Sequence, residues 1–419
     1  MYDSENLDHS ESSSWATYSE AVSVNAETTR NFLSRRSVRL VALSILVLLL
    51  IVFLIQTYHR AYRDVGYDFT SYLLSAKAVM HGENPFETDT PFTYSYPMFF
   101  AFVLIPLSLL PYWLSNFVWY LINVAAMLGS IIILLRLSLQ DSSTSWGRHL
   151  FAPVVLVLML LTSILQNHFL NGQVNFVVLL FCVLFLKYDS EDKPLAASVF
   201  LALAAAIKLV PLIFFVFLLL RRRFKTLILS ALLFSAFFIL PVVTLGGDTF
   251  TIYGEYIRGF VFGKFSGGGA HDSGQIYFTL SGVVGNLVPA LQGWSGLKVI
   301  SALIVVLTVG IIDVVSRRKD NRRSDVWVFS LYLLAILFIT PLSEKHHLAY
   351  LIPAASALLV RLLYDRSHSV LPGGMLLTGF FIFFYLGNGF GGPLYFISLT
   401  LLFVALARIS LRHPVSQPN

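Results

Sequence analysis

"LALAAAIKLVPLIFFVFLLL" runs from Leu201 to Leu220 and is followed directly by the basic "RRRFK", Arg221 to Lys225. An apolar run of this length is long enough to cross a membrane whose hydrocarbon core is about 30 Å thick. Basic residues after such a run indicate its cytoplasmic end, because Lys and Arg are enriched in cytoplasmic loops. The run is interrupted once by a charge, at Lys208. We therefore interpret it as two short spans that meet at the opposite, outer face.

The whole chain repeats this pattern. Of its 419 residues 56% are hydrophobic and 12% are charged, and the mean hydropathy is +0.74. Charged residues make up about a quarter of an ordinary soluble domain, so that class is excluded. The sequence predicts an all-α polytopic membrane protein with about 12 transmembrane helices. They are expected at residues 38–57, 113–136, 150–166, 174–187, 193–207, 209–220, 226–244, 298–316, 326–341, 348–363, 370–386 and 393–409.

The distribution of charge predicts the topology. The net charge of +6 is spread over short basic clusters between apolar runs, which disfavours a nucleic-acid partner and places the clusters in the cytoplasm. We expect both termini to be cytoplasmic, with a disordered tail at 1–37, a transmembrane domain at 38–411 and a C-terminal tail at 412–419. The first apolar run lacks a small-residue cleavage site, so it is predicted to be a retained span. Cys182 is the only cysteine, which excludes an intrachain disulfide and a thiolate metal site.

The polar residues outside the cytoplasmic clusters concentrate on the predicted outer face. Two long segments, Tyr58–Tyr112 and Gly246–Leu297, face outward together with several short turns. The stretch "YPMFFAFVLIPLSLLP", Tyr96 to Pro111, is apolar enough to span, but a span here would invert the charge distribution that follows it. We interpret it as a juxtamembrane helix bounded by prolines. An active site on this face would be assembled from several loops over a helical bundle.

Asp68 is the candidate catalytic carboxylate. It precedes "FTSYLLSAKAVMHG", whose apolar residues recur at helical spacing, and Gly82 ends the predicted helix. Two interpretations remain open: an N-cap whose carboxylate accepts from the amide of Ser71, and a general base at the membrane surface. Asp64 has no helical context and is predicted to be a solvated loop acid.

Lys208 and the end of "PLSEKHH", Pro341 to His347, supply the candidate anion-binding residues. A lysine inside an apolar hairpin is costly enough to indicate function, the alternative being a side chain that snorkels to the interface. The candidate hydrogen-bond donors to a phosphate are Lys345, His346 and His347. The alternative is that they lie at the membrane interface without a functional role. Adjacent histidines point in different directions on a helix, so a zinc pair is not expected.

Three further segments contain candidate contacts. "NGQVN" includes Gln173 and Asn175, whose amides suit sugar hydroxyls, although a polar turn between two spans gives the same string. Arg258 would hold a phosphate or a lipid headgroup. The glycine-rich "GKFSGGGAHDSGQ" lacks the ending of a phosphate-cradling loop. It is predicted to order over substrate, with His271 and Asp272 as acceptor contacts.

Taken in order, these strings resemble the family 87 glycosyltransferases, polytopic enzymes of the GT-C fold. "DFTSYLLSAKAVMHGENPFE" and "FTYSYPMFFAFVLIPLSLLP" resemble the outer loop of that family, and "NGQVN", "AAAIKLVP", "RRRF" and "PLSEKHH" follow in the family's order. The resemblance covers most of the chain from Asp68 to Pro353. Phe86, Met98 and Glu344 depart from the family's pattern. An acid at Glu344 would repel a bound phosphate unless its lysine neighbour compensates.

The resemblance implies a polyprenyl-phosphate-sugar-dependent hexosyltransferase, with mannose favoured and arabinofuranose as the alternative sugar. The acceptor would be a lipid-linked or cell-envelope glycan at the outer face of the cytoplasmic membrane. Asp68 would be the catalytic carboxylate. Donor-phosphate contacts would come from Lys208, His346 and His347, and the chemistry of Lys345 and Arg258 makes them further candidates. The substrate pocket would contain Gln173, Asn175, Tyr96 and His168.

Such chemistry needs neither a metal nor another cofactor, because polyprenyl phosphate is already a good leaving group. A carboxylate takes the proton of the acceptor hydroxyl while cations stabilise the departing phosphate. A single carboxylate predicts inversion at the anomeric carbon, since a retaining enzyme uses a second one nearby. Two other classes also fit: a transporter or flippase of a lipid-linked glycan, and an O-antigen polymerase or ligase. A transporter would show repeated halves and polar sites near the bilayer midplane, and the sequence has no clear repeat.

Overall fold

A computed structural model describes residues 36–61, 67–90, 94–139, 151–262, 279–291, 294–317, 325–340, 345–364 and 392–412. The regular elements in these ranges are all helices, which confirms the all-α prediction for the described part of the chain. Several sequence predictions fall outside these ranges. They concern the N-terminal tail up to residue 35, Asp64, His271, Asp272, Glu344 and the span expected at 370–386.

Eighteen α-helices are numbered here in chain order within the described ranges. The first nine are α1 (Arg36–Ala61), α2 (Asp68–His81), α3 (Met98–Val103), α4 (Ile105–Ser108), α5 (Tyr112–Leu139), α6 (Phe151–Leu160), α7 (Thr162–Asn171), α8 (Asn175–Ser190) and α9 (Pro194–Ile207). The others are α10 (Ile213–Leu220), α11 (Phe224–Ile239), α12 (Val242–Leu245), α13 (Asp248–Phe262), α14 (Leu280–Leu287), α15 (Ser295–Arg317), α16 (Asp325–Ile339), α17 (Ile352–Tyr364) and α18 (Gly392–Arg412). Short 3-10 helices occupy Val210–Leu212, Pro289–Leu291 and Lys345–Leu351.

The chain divides into two compact units. One extends to His59, and its described part lies in α1. The other, Arg60–Asn419, contains all the remaining helices and every predicted site residue. The fold and site below are those of this second unit.

Three helical segments of the described chain are long and apolar enough to cross a membrane by length and composition: Tyr112–Leu139, Phe224–Leu245 and Gly296–Arg317. Pro153–Leu160 and Thr162–Asn171 form a fourth if this pair, bent by 70°, counts as one span. Five shorter apolar helices lie close to predicted spans: Val47–Ala61, Pro194–Ile207, Val210–Leu220, Asp325–Ile339 and Tyr395–Leu411. The total of about 12 spans stays a prediction.

The helix boundaries follow from local sequence. The helix α2 ends at Gly82, whose φ of 77° is the left-handed conformation that glycine adopts without steric cost. Pro194 begins α9, where its missing N–H is not needed, and α9 ends at Lys208, which is extended. The predicted juxtamembrane helix between Tyr96 and Pro111 consists of α3 and α4, which are separated at Leu104 and pack against α2.

The core of the second unit lies among α5, α8, α9 and α16. The helix α16 is buried on all sides, from Val328 to Phe338. The outward faces of α11 and α15 carry large exposed apolar side chains, including Leu232 and Ile311, which are 63% exposed. Apolar surface of this extent is expected where lipid is the solvent.

A network of charges joins α10, α15 and α16 at one end of the bundle. The guanidinium of Arg221 pairs with Asp325 and, at 3.3 Å, with Asp313, whose side chain is fully buried. Arg317 pairs with Asp313 at 3.2 Å, and Tyr332 donates to the same carboxylate at 3.2 Å. These partners satisfy the buried acid, which would otherwise be strongly destabilising.

The opposite end of the bundle is where the predicted outer residues gather. The helix α8 starts at Asn175 and runs 16 residues, so its two ends lie about 24 Å apart. The helix α10 begins shortly after Lys208 and leads to the charged network at Arg221. The fold therefore separates the basic end from the end that carries Asn175 and Lys208.

Candidate active site

A polar cluster forms where several parts of the second unit meet: the start of α2, the segment before α3, the turn between α7 and α8, the end of α9, and the 3-10 helix Lys345–Leu351. Hydrogen bonds, ring contacts and electrostatic coupling connect its members. Eight predicted site residues belong to it: Asp68, Tyr96, His168, Gln173, Asn175, Lys208, His346 and His347.

Asp68 is held by the side chain of Gln173. The amide Nε2 of Gln173 donates to Oδ2 of Asp68. The other end of the amide, Oε1, accepts from the hydroxyl of Tyr96 at 3.0 Å, and the Tyr72 hydroxyl lies 3.3 Å from Oε1 and 3.0 Å from the Tyr96 hydroxyl. Gln173 is 1% exposed, whereas Asp68 is only half-buried. The carboxylate is thus held by a buried amide, while Asp68 itself is partly exposed.

The N-cap interpretation of Asp68 is wrong. The N-cap of α2 is Tyr67, with extended backbone angles and no side-chain capping bond, and Asp68 is the first helical residue. The amides of Thr70 and Ser71 donate to the backbone oxygen of Tyr67, at 2.9 and 3.4 Å. The hydroxyl of Ser71 donates to the backbone oxygen of Asp68 at 2.8 Å. Asp68 therefore does not cap α2, and its carboxylate binds across the fold to Gln173.

Lys208 is held by the side chain of Asn175. Its Nζ donates to Oδ1 of Asn175 at 2.8 Å and lies 5.5 Å from the centre of the Tyr96 ring. The hydroxyl of Tyr350 donates to the same Oδ1 at 3.4 Å, and Nδ2 of Asn175 donates to the backbone oxygen of His346 at 3.4 Å. Asn175 is completely buried and Lys208 is half-buried. Tyr96 thus lies between the residue that holds the carboxylate and the ammonium group.

The histidines lie deeper in the cluster. Nε2 of His168 accepts from the backbone N–H of Phe176 at 3.2 Å, and the two rings stack with centres 3.6 Å apart. The rings of His346 and His347 lie 4.4 Å apart. Burial, and then the positive charge of Lys208, lower the pKa of both His346 and His347 well below the ordinary value. Both rings are therefore neutral at pH 7, and the positive charge of the cluster comes from Lys208.

Two other residues were predicted to contact the donor phosphate, Lys345 and Arg258. Lys345 is half-buried at the start of its 3-10 helix, where burial lowers its pKa. Arg258 is exposed on α13. The same helix contacts the segment before α3 through Tyr256, which donates to the backbone oxygen of Ser95 at 3.4 Å. Among the described residues, no group of three or more His, Cys, Asp or Glu side chains is arranged to hold a metal ion.

A comparison with protein families identifies the chain. The family model described as glycosyltransferase family 87 matches residues 92–343, more than half of the sequence. The chain belongs to glycosyltransferase family 87. Gln173, Asn175 and Lys208 lie inside the matched range, whereas Asp68 precedes it and His346 follows it.

Two curated relatives are known for this family 87 chain. One, from Mycolicibacterium smegmatis, is 28% identical over 278 residues, which cover 63% of this chain and 60% of the relative. The other, from Mycobacterium tuberculosis, is 24% identical over 282 residues, covering 63% and 58%. Both are described as polyprenol-phosphate-mannose-dependent alpha-(1-2)-phosphatidylinositol pentamannoside mannosyltransferases. The match thus spans about three-fifths of the length of each relative. No solved structure matches the chain.

Three residues of this family 87 site were missed by sequence reasoning. Tyr72 and Tyr350 supply buried hydroxyls to Gln173 and Asn175, and Trp119 donates from Nε1 to the backbone oxygen of Gly172 at 2.7 Å. Tyr72 stands one helical turn after Asp68, so its position in α2 was a usable signal. Trp119 and Tyr350 looked like ordinary apolar residues of spans.

Gly172 lets the turn between α7 and α8 approach α2. Its φ is 60°, in the left-handed region, and a Cβ at this position would lie 2.6 Å from Cβ of Phe69, the residue after Asp68. Real Cβ atoms do not approach each other so closely. Because the Cβ of Phe69 is fixed by its backbone, a change of side-chain rotamer cannot relieve the overlap. A residue with a Cβ would therefore push the turn, and Gln173 with it, away from the carboxylate.

Gly172→Ala is expected to destabilise the protein by at least about 1–2 kcal/mol, the cost of the left-handed conformation for alanine, with the steric overlap in addition. Thermal unfolding of the purified protein in detergent measures the effect as a lowered Tm. Gly254→Ala is the matched control, because a Cβ there meets nothing within 4 Å and alanine favours the helix. A Gly172→Ala protein with unchanged Tm would contradict the close approach of Gly172 to Phe69.

Proposed function

We propose that this chain is a mannosyltransferase that moves a mannosyl group from a polyprenol-phosphate mannose to a lipid-linked glycan acceptor at the outer face of the cytoplasmic membrane. Membership of family 87 supports the transferase chemistry, and the names of the two relatives support the donor. The single observation that carries the proposal is that a half-buried carboxylate, Asp68, and an ammonium group, Lys208, belong to one polar cluster at one end of the bundle.

Asp68 would act as the general base. An acceptor hydroxyl attacks the anomeric carbon of the donor, and its proton passes to the carboxylate as the new glycosidic bond forms. The bond between the anomeric carbon and the phosphate oxygen breaks, and the polyprenyl phosphate leaves with the electron pair. Because one carboxylate serves this direct displacement, we expect inversion at the anomeric carbon.

Lys208 would bind the donor phosphate and stabilise the charge that develops as it leaves. A fixed cation in a site of low water content stabilises such charge more than it would in water. The neutral rings of His346 and His347 each have one N–H and would donate to phosphate oxygens. We expect the reaction to need no divalent metal, since the leaving phosphate is stabilised by these side chains.

The membrane arrangement belongs to the same proposal. A GT-C fold with about 12 spans and both termini in the cytoplasm would place the charged network of Arg221 on the inner side and Lys208 on the outer side. The short helices α3 and α4 would then lie along the outer interface, below the acceptor. The separation of the two ends along α8 and α10 supports this arrangement.

The proposal is tested by expressing the chain in a bacterial host that lacks it and supplying membranes with labelled polyprenyl-phosphate mannose and a lipid acceptor fraction. We expect label to enter a lipid-linked glycan, with and without a metal chelator, and not when GDP-mannose replaces the lipid donor in washed membranes. Matched membranes without the chain are the control. Transfer from polyprenyl-phosphate arabinose but not mannose would contradict the choice of sugar, and transfer from neither would contradict the function.

A further inference from the structure

The orientation of the Gln173 amide is determined by its surroundings. Its Nε2 faces the carboxylate of Asp68, and its Oε1 faces the hydroxyl of Tyr96 at 3.0 Å. A flipped amide would place two acceptor oxygens, one from each side chain, in contact. Burial, followed by its electrostatic interactions with the Tyr96 hydroxyl and the Asp68 carboxylate, raises the pKa of the neighbouring Tyr72 well above its usual value. Tyr72 therefore remains a hydrogen-bond donor within this network.

Asn175, two residues after Gln173, holds Lys208 by a side-chain hydrogen bond, as Gln173 holds Asp68. Its Oδ1 accepts from Lys208 at 2.8 Å and from Tyr350 at 3.4 Å, and its Nδ2 donates to the backbone oxygen of His346. With 0% exposure and its amide engaged at both ends, Asn175 has no free surface to offer a sugar. Gln173, at 1% exposure, is engaged at both ends as well.

The turn that carries both amides is itself fixed. Its backbone at Gly172 accepts from the indole of Trp119 at 2.7 Å and touches Phe69 on α2. Phe69 stacks on Trp119 with ring centres 5.6 Å apart. The residue after Asp68 and the residue before Gln173 are thus packed on the same indole, which restricts the separation between α2 and the turn.

We propose that Gln173 and Asn175 are positioning residues: one short turn holds the base carboxylate of Asp68 and the phosphate-binding ammonium of Lys208 at a fixed separation. The inference rests on the proposed function, which supplies the roles of those two charges. It replaces the expectation that the two amides bind sugar hydroxyls. Fixing the reacting groups before substrate arrives reduces the barrier, because a displacement of about 1 Å costs a large factor in rate.

Gln173→Glu turns this arrangement into a test with a pH readout. The new carboxyl would face the carboxylate of Asp68, and two such groups in contact share a proton. Within the part of the chain that the structure describes, the ionisable groups near this pair include Tyr72 on α2, Tyr96 before α3 and Lys208 at the end of α9. The shared proton keeps the base protonated at pH values where Asp68 alone is ionised. We expect the rising limb of the kcat–pH profile to move up by at least about one pH unit.

Gln166→Glu is the matched control, since Gln166 is half-buried on α7, seven positions earlier, and lies outside the hydrogen bonds of the cluster described above. It should keep the wild-type pH profile. Gln173→Leu is the second variant, because it removes the hydrogen bond without adding a charge. We expect it to lower kcat about 10- to 100-fold while the KM for polyprenyl-phosphate mannose stays the same.

The outcomes separate the two proposals. A wild-type chain that transfers no mannose contradicts the proposed function. A wild-type chain that transfers mannose, together with variants Gln173→Glu and Gln173→Leu that keep its kcat and pH profile, contradicts the positioning role alone. If Gln173→Glu is monodisperse but inactive at every pH, Gln173→Leu decides: a lower kcat at constant KM supports the role, and a raised KM overturns it in favour of a substrate contact.

Discussion

Asp68→Asn is expected to lower the rate of mannosyl transfer by about 10²- to 10⁴-fold, the contribution of a general base. Asparagine has nearly the same shape, and its Oδ1 can still accept from Gln173, so the position of the side chain is kept. What is lost is the ability to take a proton from the acceptor hydroxyl. The measurement is initial-rate transfer from labelled polyprenyl-phosphate mannose at equal amounts of purified protein.

Asp89→Asn provides the control for that variant. Asp89 is exposed in the same segment between α2 and α3, and the substitution makes the same change of charge. Its rate should match the wild type. An Asp68→Asn protein that retained a tenth or more of the wild-type rate would show that another group takes the proton.

Lys208→Met is expected to reduce kcat/KM for the donor about 100- to 1,000-fold, chiefly through a raised KM. Methionine keeps the length and the apolar stem of lysine but removes the ammonium, which is the fixed positive charge of the cluster. Asn175 would lose one donor and retain Tyr350. Donor-concentration series with the purified protein measure the effect.

Lys77→Met is the matched control, because Lys77 is exposed on α2 and the charge change is the same. It should leave the donor KM unaltered. An unchanged donor KM in Lys208→Met would remove Lys208 from the phosphate site and leave it as a residue that anchors α9 through Asn175.

Much of the helical framework was predictable because apolar run length and basic clusters leave few alternatives. The run expected at 113–136 is the helix Tyr112–Leu139, and the run expected at 298–316 is Ser295–Arg317. The prediction of a helix after Asp68 that stops at Gly82 is confirmed within one residue. The break between α6 and α7 was not predicted, since nothing in the apolar pattern around Leu161 marks a bend of 70°.

The sequence predicted which residues belong to the site better than it predicted the contacts between them. Charged side chains beside apolar runs are rare enough to be noticed, which is how Asp68 and Lys208 were found, whereas Asn175 was found as an amide in a polar turn. Which partner each would take depends on contacts between residues far apart in the chain, such as Gln173 with Asp68. Sequence reasoning therefore assigned Gln173 to sugar binding.

The N-cap interpretation shows the same limit. An aspartate at the start of a helix usually caps it, and that local preference competes with any long-range contact. Here the turn at Gly172 comes so close to Phe69 that Gln173 reaches the carboxylate of Asp68, and Tyr67 becomes the cap residue. The close approach depends on a glycine in the left-handed conformation. The string "NGQVN" contains that glycine, but the sequence alone does not show that it packs against Phe69.

The most direct measurement uses a polyprenyl-phosphate mannose that carries one label in the sugar and another in the phosphate, supplied with acceptor to purified wild-type and Asp68→Asn protein. Wild type should transfer the sugar label to the lipid-linked glycan and leave the phosphate label on polyprenyl phosphate in equal amounts. In Asp68→Asn the two labels should remain together on the donor. Separation of the labels at the same rate in both proteins, or their joint transfer to the acceptor by the wild type, would contradict a mannosyl transfer that depends on the Asp68 carboxylate.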